Sequence, residues 1–393
     1  TMGSGASSKG WPKAFFLTMN GPSDLPPGEP YKEVYPVLAI AVTRNQMQLA
    51  AATNDNGINL WCLKTSNLLI SLQGHAESIW QLAYSPDDAL LASASADGTV
   101  KLWDAASGSL ALSFPRHHAN WVWTLAWSPD GARLATGGSD SRIVVWDAVG
   151  AVEGAKKADF LAERASRDAA WAQSAANERQ IAAERATPLR HWQAHEKSVQ
   201  KLTWAPTESR MIVSVGAEGS VAIWDGEVGA LDCRLMGHLG AVTCVDVNPR
   251  NSEVIATGGE DHTVRLWDLQ DVEPGSSAAK ESREKIWGLN LKHYTLKGHE
   301  GAVVTVQFLG DGQLLASGSK DCEVRVWVPD LQNPLLLKRF VAHEDWISEL
   351  CWTVDQSMLF TCSCDGMTYA WEVPRKYRRK HVQLPSGEAK YRF

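Results

Sequence analysis

The sequence predicts an all-β fold, a ring of seven four-stranded units forming a β-propeller, and three observations carry that prediction. A frame of similar residues recurs along the 393-residue chain, usually at a step of 43 or 44. Two internal spacings hold in every full copy: 22 or 23 residues from a histidine to an acidic turn residue, then six to a tryptophan. Each copy also has three short alternating stretches bounded by turn residues such as "SPDG" and "ADG", the pattern of half-buried strands joined by tight turns.

Taken in chain order, the opening "TMGSGASS" has the composition of a cloning remnant, and residues 1–10 are set outside the fold. "KAFFLTM" (13–19) is an apolar β-like run ahead of the first unit. A ring must join its ends or leave an exposed edge, so this run is expected to complete the last sheet; "KHVQL" (380–384) competes for that place. The first unit, within "VLAIAVTRNQMQLAAATNDNGINLWC", is degenerate: it keeps Asp55 and Trp61 six apart, has Ala51 where others carry a hydroxyl, and lacks the histidine. Six full units follow, marked by His75–Asp97–Trp103, His118–Asp140–Trp146, His195–Glu218–Trp224, His238–Asp261–Trp267, His299–Asp321–Trp327 and His343–Asp365–Trp371. A fourth strand follows each tryptophan, as in "SLALSF".

Two units are overlong, with histidines 77 and 61 residues apart. Both excesses follow the tryptophan and so fall between third and fourth strands, as inserts 151–187 in blade 3 and 271–291 in blade 5. Residues 155–186 hold no Gly or Pro and are rich in strong helix formers, which predicts a helix. The second insert opens on serines suited to capping and predicts a shorter helix ending near Trp287. Both are expected on the face opposite the acid-bearing turns. The propeller spans 11–373, and a tail (374–393) carries seven Lys/Arg against one Glu.

The repeat resembles the WD40 family, and the resemblance covers essentially residues 31–373. It implies that each histidine, acid and tryptophan, with a Ser or Thr four residues before the acid (Ser93, Thr136, Ser214, Thr257, Ser317, Thr361), forms a hydrogen-bond chain tying the turn to the inner strands. A catalytic triad would need one such set beside an oxyanion hole, whereas six near-identical sets point to one structural role per blade. The resemblance also implies that residues flanking the first apolar position of each innermost strand line the channel mouth, where partner peptides are commonly gripped. Here those aromatics are Tyr35, Trp80, Trp121, Trp123 and Trp346, which fall on consecutive blades 7, 1, 2 and 3. Blades 4 to 6 offer small or polar groups instead. An exposed aromatic arc has the composition of an interface hot spot; packing within the mouth is the alternative. Within "NWVWTLAW", Trp127 is expected in the core and Trp121 with Trp123 at the partner face.

Net charge is −7, which argues against general nucleic-acid binding and leaves only the basic tail for such contacts. No apolar run is long enough to span a bilayer. Seven scattered cysteines suit reduced thiols in the cytoplasm or nucleus, and no metal-ligand or cofactor motif is present. The expected function is therefore a non-enzymatic, monomeric scaffold or adaptor binding another protein. The alternatives are a ubiquitin-ligase substrate receptor, weakened because "WDAA", "WDAV", "WDGE" and "WDLQ" lack the Trp-Asp-x-Arg signature, and a ribonucleoprotein-associated factor using the tail.

Overall fold

A computed structural model describes residues 13–18, 35–167, 186–270 and 293–377. Seven antiparallel four-stranded sheets run in order from the first copy (strands between Val37 and Leu72, blade 1) to the last (between Ile347 and Glu372, blade 7). Six blades take their four strands consecutively from the chain. Blade 7 takes its outer strand from the N-terminus: Lys13–Thr18 pairs antiparallel with Met367–Glu372, from Phe15 opposite Ala370 to Thr18 opposite Met367. The ring thus closes by strand pairing rather than by a covalent link.

The turn chemistry explains the strand boundaries. In "SPDG", Ser128 Oγ accepts from Arg133 N at 2.9 Å and Asp130 accepts from Ala132 N at 3.0 Å. Gly131 sits there at φ +73°, where a side chain would be strained. Between blades, the two faces of each sheet are buried against the neighbouring sheets. The motif tryptophans Trp103, Trp146, Trp224, Trp267, Trp327 and Trp371 all lie in these seams, none more than 6% exposed.

Every innermost strand is bulged at the same step. Pairing skips one residue between Val37 and Ala39, Ile79 and Gln81, Val122 and Thr124, Val199 and Lys201, Val242 and Cys244, Val303 and Thr305, and Ile347 and Glu349. A bulge releases its extra residue from the ladder and re-aims that side chain. The released residues include Trp80 and Trp123.

Helical inserts in both blades 3 and 5, as expected from the sequence, are not supported. Among the described residues there is one α-helix, Ala148–Arg167 in blade 3; residues 168–185 and the blade 5 insert lie outside the described residues. This helix starts seven residues before the expected 155, straight off the third strand. Asp147 caps it, its Oδ1 accepting from Gly150 N at 2.9 Å. A Cβ on Gly150 would stand 2.3 Å from Asp147 Oδ2, so the glycine is what lets the cap approach. Nor is the helix a mere surface decoration. Ala148, Ala151 and Val152 are buried with Phe114, Trp127 and Trp146 in the core between blades 2 and 3.

Candidate functional site

The six motif sets all assemble into the same buried chain. In blade 2, His75 Nδ1 lies 2.8 Å from Asp97 and His75 Nε2 lies 2.8 Å from Ser93 Oγ. Trp103 Nε1 donates to that same Oγ at 2.9 Å. The chain repeats through His118, Thr136 and Trp146; His195, Ser214 and Trp224; His238, Thr257 and Trp267; His299, Ser317 and Trp327; and His343, Thr361 and Trp371. The acids are Asp140, Glu218, Asp261, Asp321 and Asp365. A hydroxyl both receives the indole N–H and reaches the imidazole, so no buried donor is stranded. Each nucleophile-like oxygen is consumed by this structural role.

Charge follows the same geometry. Burial pushes the Asp261 carboxyl up, but hydrogen bonds from Thr263 and His238 outweigh it and hold the group at about 2. Glu218 is likewise raised by burial and brought down to about 2 by its bonds to His195 and Ser220. Asp97, Asp140, Asp321 and Asp365 are all held below the usual carboxylate range by the same kinds of bond, against burial. Burial moves His238 the other way, toward the neutral ring. The turns therefore hold ionised carboxylates, and in blade 5 the Asp261 carboxylate stands beside the neutral His238 ring. His299, Asp321 and Glu323 stand close enough to suggest a metal, yet Glu323 is bonded to Arg325 and Arg339 and the other two to one another. Their ligand atoms are already occupied.

Blade 1 lacks this chain. Ala51 is fully buried where Ser93 or Thr136 stands elsewhere, and Trp61 Nε1 is buried without a hydrogen-bond partner.

The channel mouth carries the aromatics at the end of the blades where the acid turns lie. Trp121 is 47% exposed and Trp346 is 49% exposed. Trp80, Trp123 and Tyr35 are half-buried, and Trp127 is core, its indole donating to Ala83 O in blade 2 at 3.1 Å. Trp80 and Trp123 pack with ring centroids 4.8 Å apart, and Trp121 stands edge-on to Trp123 at 5.3 Å and 88°. Three of the five expected residues thus form one cluster. Trp346 forms a second point on blade 7, with Lys320 Nζ 4.3 Å above its ring.

Below the mouth lies a channel cavity of about 390 Å³ that sequence reasoning missed. Its wall holds Gln81, Lys201, Asp246, Gln307 and Glu349. Four of these bind the next blade's inner strand: Gln81 accepts from Leu125 N, Asp246 from Phe308 N, Gln307 from Trp352 N and Glu349 from Ile40 N, at 2.7 to 3.1 Å. Thr124 does the same for Leu202 N at 3.0 Å. Lys201 crosses from blade 4 to Glu349 of blade 7 at 3.0 Å. Burial raises Asp246 to about 7 despite the two amides it accepts. The available signal was a polar residue at the third or fifth place of an otherwise apolar inner strand.

Comparison with known proteins agrees with this architecture. Residues 66–104, 108–147, 186–225, 230–268, 291–328 and 335–372 each match the family model described as "WD domain, G-beta repeat". Protein HIR1 of Yarrowia lipolytica is 33% identical over 153 residues, covering 33% of this chain and 14% of that protein. Nuclear distribution protein PAC1 of Fusarium vanettenii is 31% identical over 180 residues, covering 43% and 36%. Nuclear distribution protein nudF 1 of Talaromyces marneffei is 28% identical over 165 residues, covering 42% and 31%. The matched stretch is well under half of each of these relatives' length.

Proposed function

Because this chain belongs to the WD40 family, we propose that it is a non-enzymatic scaffold holding a peptide or subunit of a partner protein on its indole-lined channel mouth. The observation that carries this reading is the pairing of exposed Trp121 with the half-buried Trp80 and Trp123 beneath it. Large exposed rings cost solubility, and a cluster of them centred on packed indoles has the anatomy of a binding hot spot. Relatives whose names include "nuclear distribution protein" suit a subunit acting within an assembly, in the cytoplasm or the nucleus. No helix among the described residues is long and apolar enough to cross a membrane.

The test is affinity capture from native extract with the intact chain and with Trp121→Ala, quantified by mass spectrometry. A partner enriched by the intact chain and lost with the variant, at unchanged melting temperature, supports the reading. Equal recovery on both removes the mouth from the function.

A further inference from the structure

Resting on that proposed mouth, we infer that its occupant is cationic: a lysine or arginine side chain of the partner peptide, seated in the corner between Trp121 and Trp123. Three observations converge on this chemistry. The two indole planes stand at 88° with centroids 5.3 Å apart, so they form an inside corner where one cation can meet both rings. Indole faces attract a cation lying within about 6 Å of the ring centroid. The same mouth already seats an ammonium in this way, Lys320 on Trp346 at 4.3 Å.

The third observation is the field around the corner. On blades 7, 2 and 3 the exposed Glu77, Glu344 and Asp345 join the turn acids Asp97, Asp140 and Asp365, all held ionised at neutral pH. Arg116, Arg142 and Lys320 oppose them, and Lys320 is already spent on Trp346. Six acids against three cations leave these blades net negative at the rim of a low-dielectric channel, which draws in the opposite sign. An acidic or purely apolar segment would meet that field unfavourably or gain nothing from it.

Isothermal titration of the intact chain tests this with three probes: acetyl-Gly-Ser-Arg-Ser-Gly-amide, the same peptide with lysine, and the same peptide with citrulline, which keeps the shape of arginine without its charge. The arginine and lysine peptides should bind at least about fivefold more tightly than the citrulline peptide. That preference should shrink as salt rises from about 50 to about 300 mM. Trp121→Leu should abolish it, and Trp121→Phe should retain part of it. Glu344→Gln with Asp345→Asn, both at exposed sites, should weaken the charged peptides alone. Citrulline binding within about twofold of arginine, or a preference surviving in Trp121→Leu, overturns the proposal, as does absence of binding by all three peptides up to about 5 mM. If capture of the native partner needs Trp121 while arginine and citrulline bind alike, the mouth still holds the partner and only the cation assignment falls.

Discussion

Restoring the missing hydroxyl in blade 1 should stabilise the protein. Ala51 pairs with Asn59 in the register that places Ser93 opposite Lys101 and Thr136 opposite Val144. In those blades the hydroxyl sits 2.9 and 3.1 Å from the tryptophan Nε1. Ala51→Ser therefore puts an acceptor at the orphaned Trp61 Nε1. Its own hydrogen can point at the Asn59 carbonyl, as Ser93 points at Lys101 O. An unsatisfied buried donor costs about 1–3 kcal/mol, and burying the new hydroxyl takes back part of that. The net gain should be about 1 kcal/mol, or a rise of about 1–3 °C in melting temperature. Calorimetry on Ala51→Ser, with Ala51→Val as a control of added volume without an acceptor, reads it directly. Valine should cost about 1–3 kcal/mol by overpacking. If serine and valine shift the melting temperature alike, the orphaned indole is not what limits blade 1. A second arm uses tryptophan itself: Trp103→Phe, which breaks a complete chain, should cost about 1–2 kcal/mol more than Trp61→Phe. Equal costs would refute the argument.

Other outcomes follow from the same geometry. Lys201→Ala leaves the largely buried Glu349 carboxylate without its ammonium and should destabilise by about 1–3 kcal/mol, with most of the loss recovered in the double variant carrying Glu349→Gln; a double-mutant cycle with no coupling would contradict the cross-channel bridge. At the mouth, Trp121→Ala should change stability by less than about 0.5 kcal/mol and Trp123→Ala by about 1–3 kcal/mol, because only the first ring is exposed; urea midpoints decide. Acid should act in two stages. His238, held neutral, contributes stability that is intact above its ordinary value near 6.5 and is lost as pH falls below it. Asp261 and Glu218, held near 2, contribute stability that is present above the ordinary carboxylate range and is lost as pH falls from about 4 toward 2. Asp261→Asn should flatten the lower stage of the stability–pH curve. Asp246 works in the opposite sense: raised to about 7, its ionisation should erode stability as pH rises from about 4 to 7, and a carbon-detected titration giving a midpoint below about 5 would refute this.

The blade count and the hydrogen-bond chains were legible because they depend on two fixed spacings, and one residue class at each position serves one role. The N-terminal closing strand was legible from an apolar run standing alone ahead of the first repeat. The blade 3 helix was misplaced because Gly150 and Gly154 reduce local helix propensity just where Asp147 caps the helix. A rule that rewards strong formers starts too late when a cap sets the boundary. The row Trp121, Trp123, Leu125, Trp127 was harder still. Strict alternation places all four on one side of the strand, yet the bulge after Val122 separates Trp123 from the buried Leu125 and Trp127. Bulges leave no composition signal here, since the released residue is apolar in some blades (Leu38, Trp80, Trp123, Val304) and polar in others (Gln200, Thr243, Ser348). The polar channel residues were passed over for a related reason: a lone Gln or Glu in an apolar strand looks like noise until the neighbouring blade's amide is seen opposite it.

The interblade acceptors also imply an uneven ring. Side-chain oxygens on inner strands stitch blade 2 to 3, 3 to 4, 5 to 6, 6 to 7 and 7 to 1. Ala39 and Ala41 provide no such oxygen toward blade 2, and Lys201 turns its ammonium across the channel instead of toward blade 5. Both joints are bridged nearer the rim, where Asp88 accepts from Arg44 N and Asn45 N between blades 1 and 2 and Thr207 bonds Ser252 between blades 4 and 5, so the unevenness is confined to the channel wall. Amide exchange should record it there, faster at Leu82 and Val245 than at Leu125, Leu202 and Phe308.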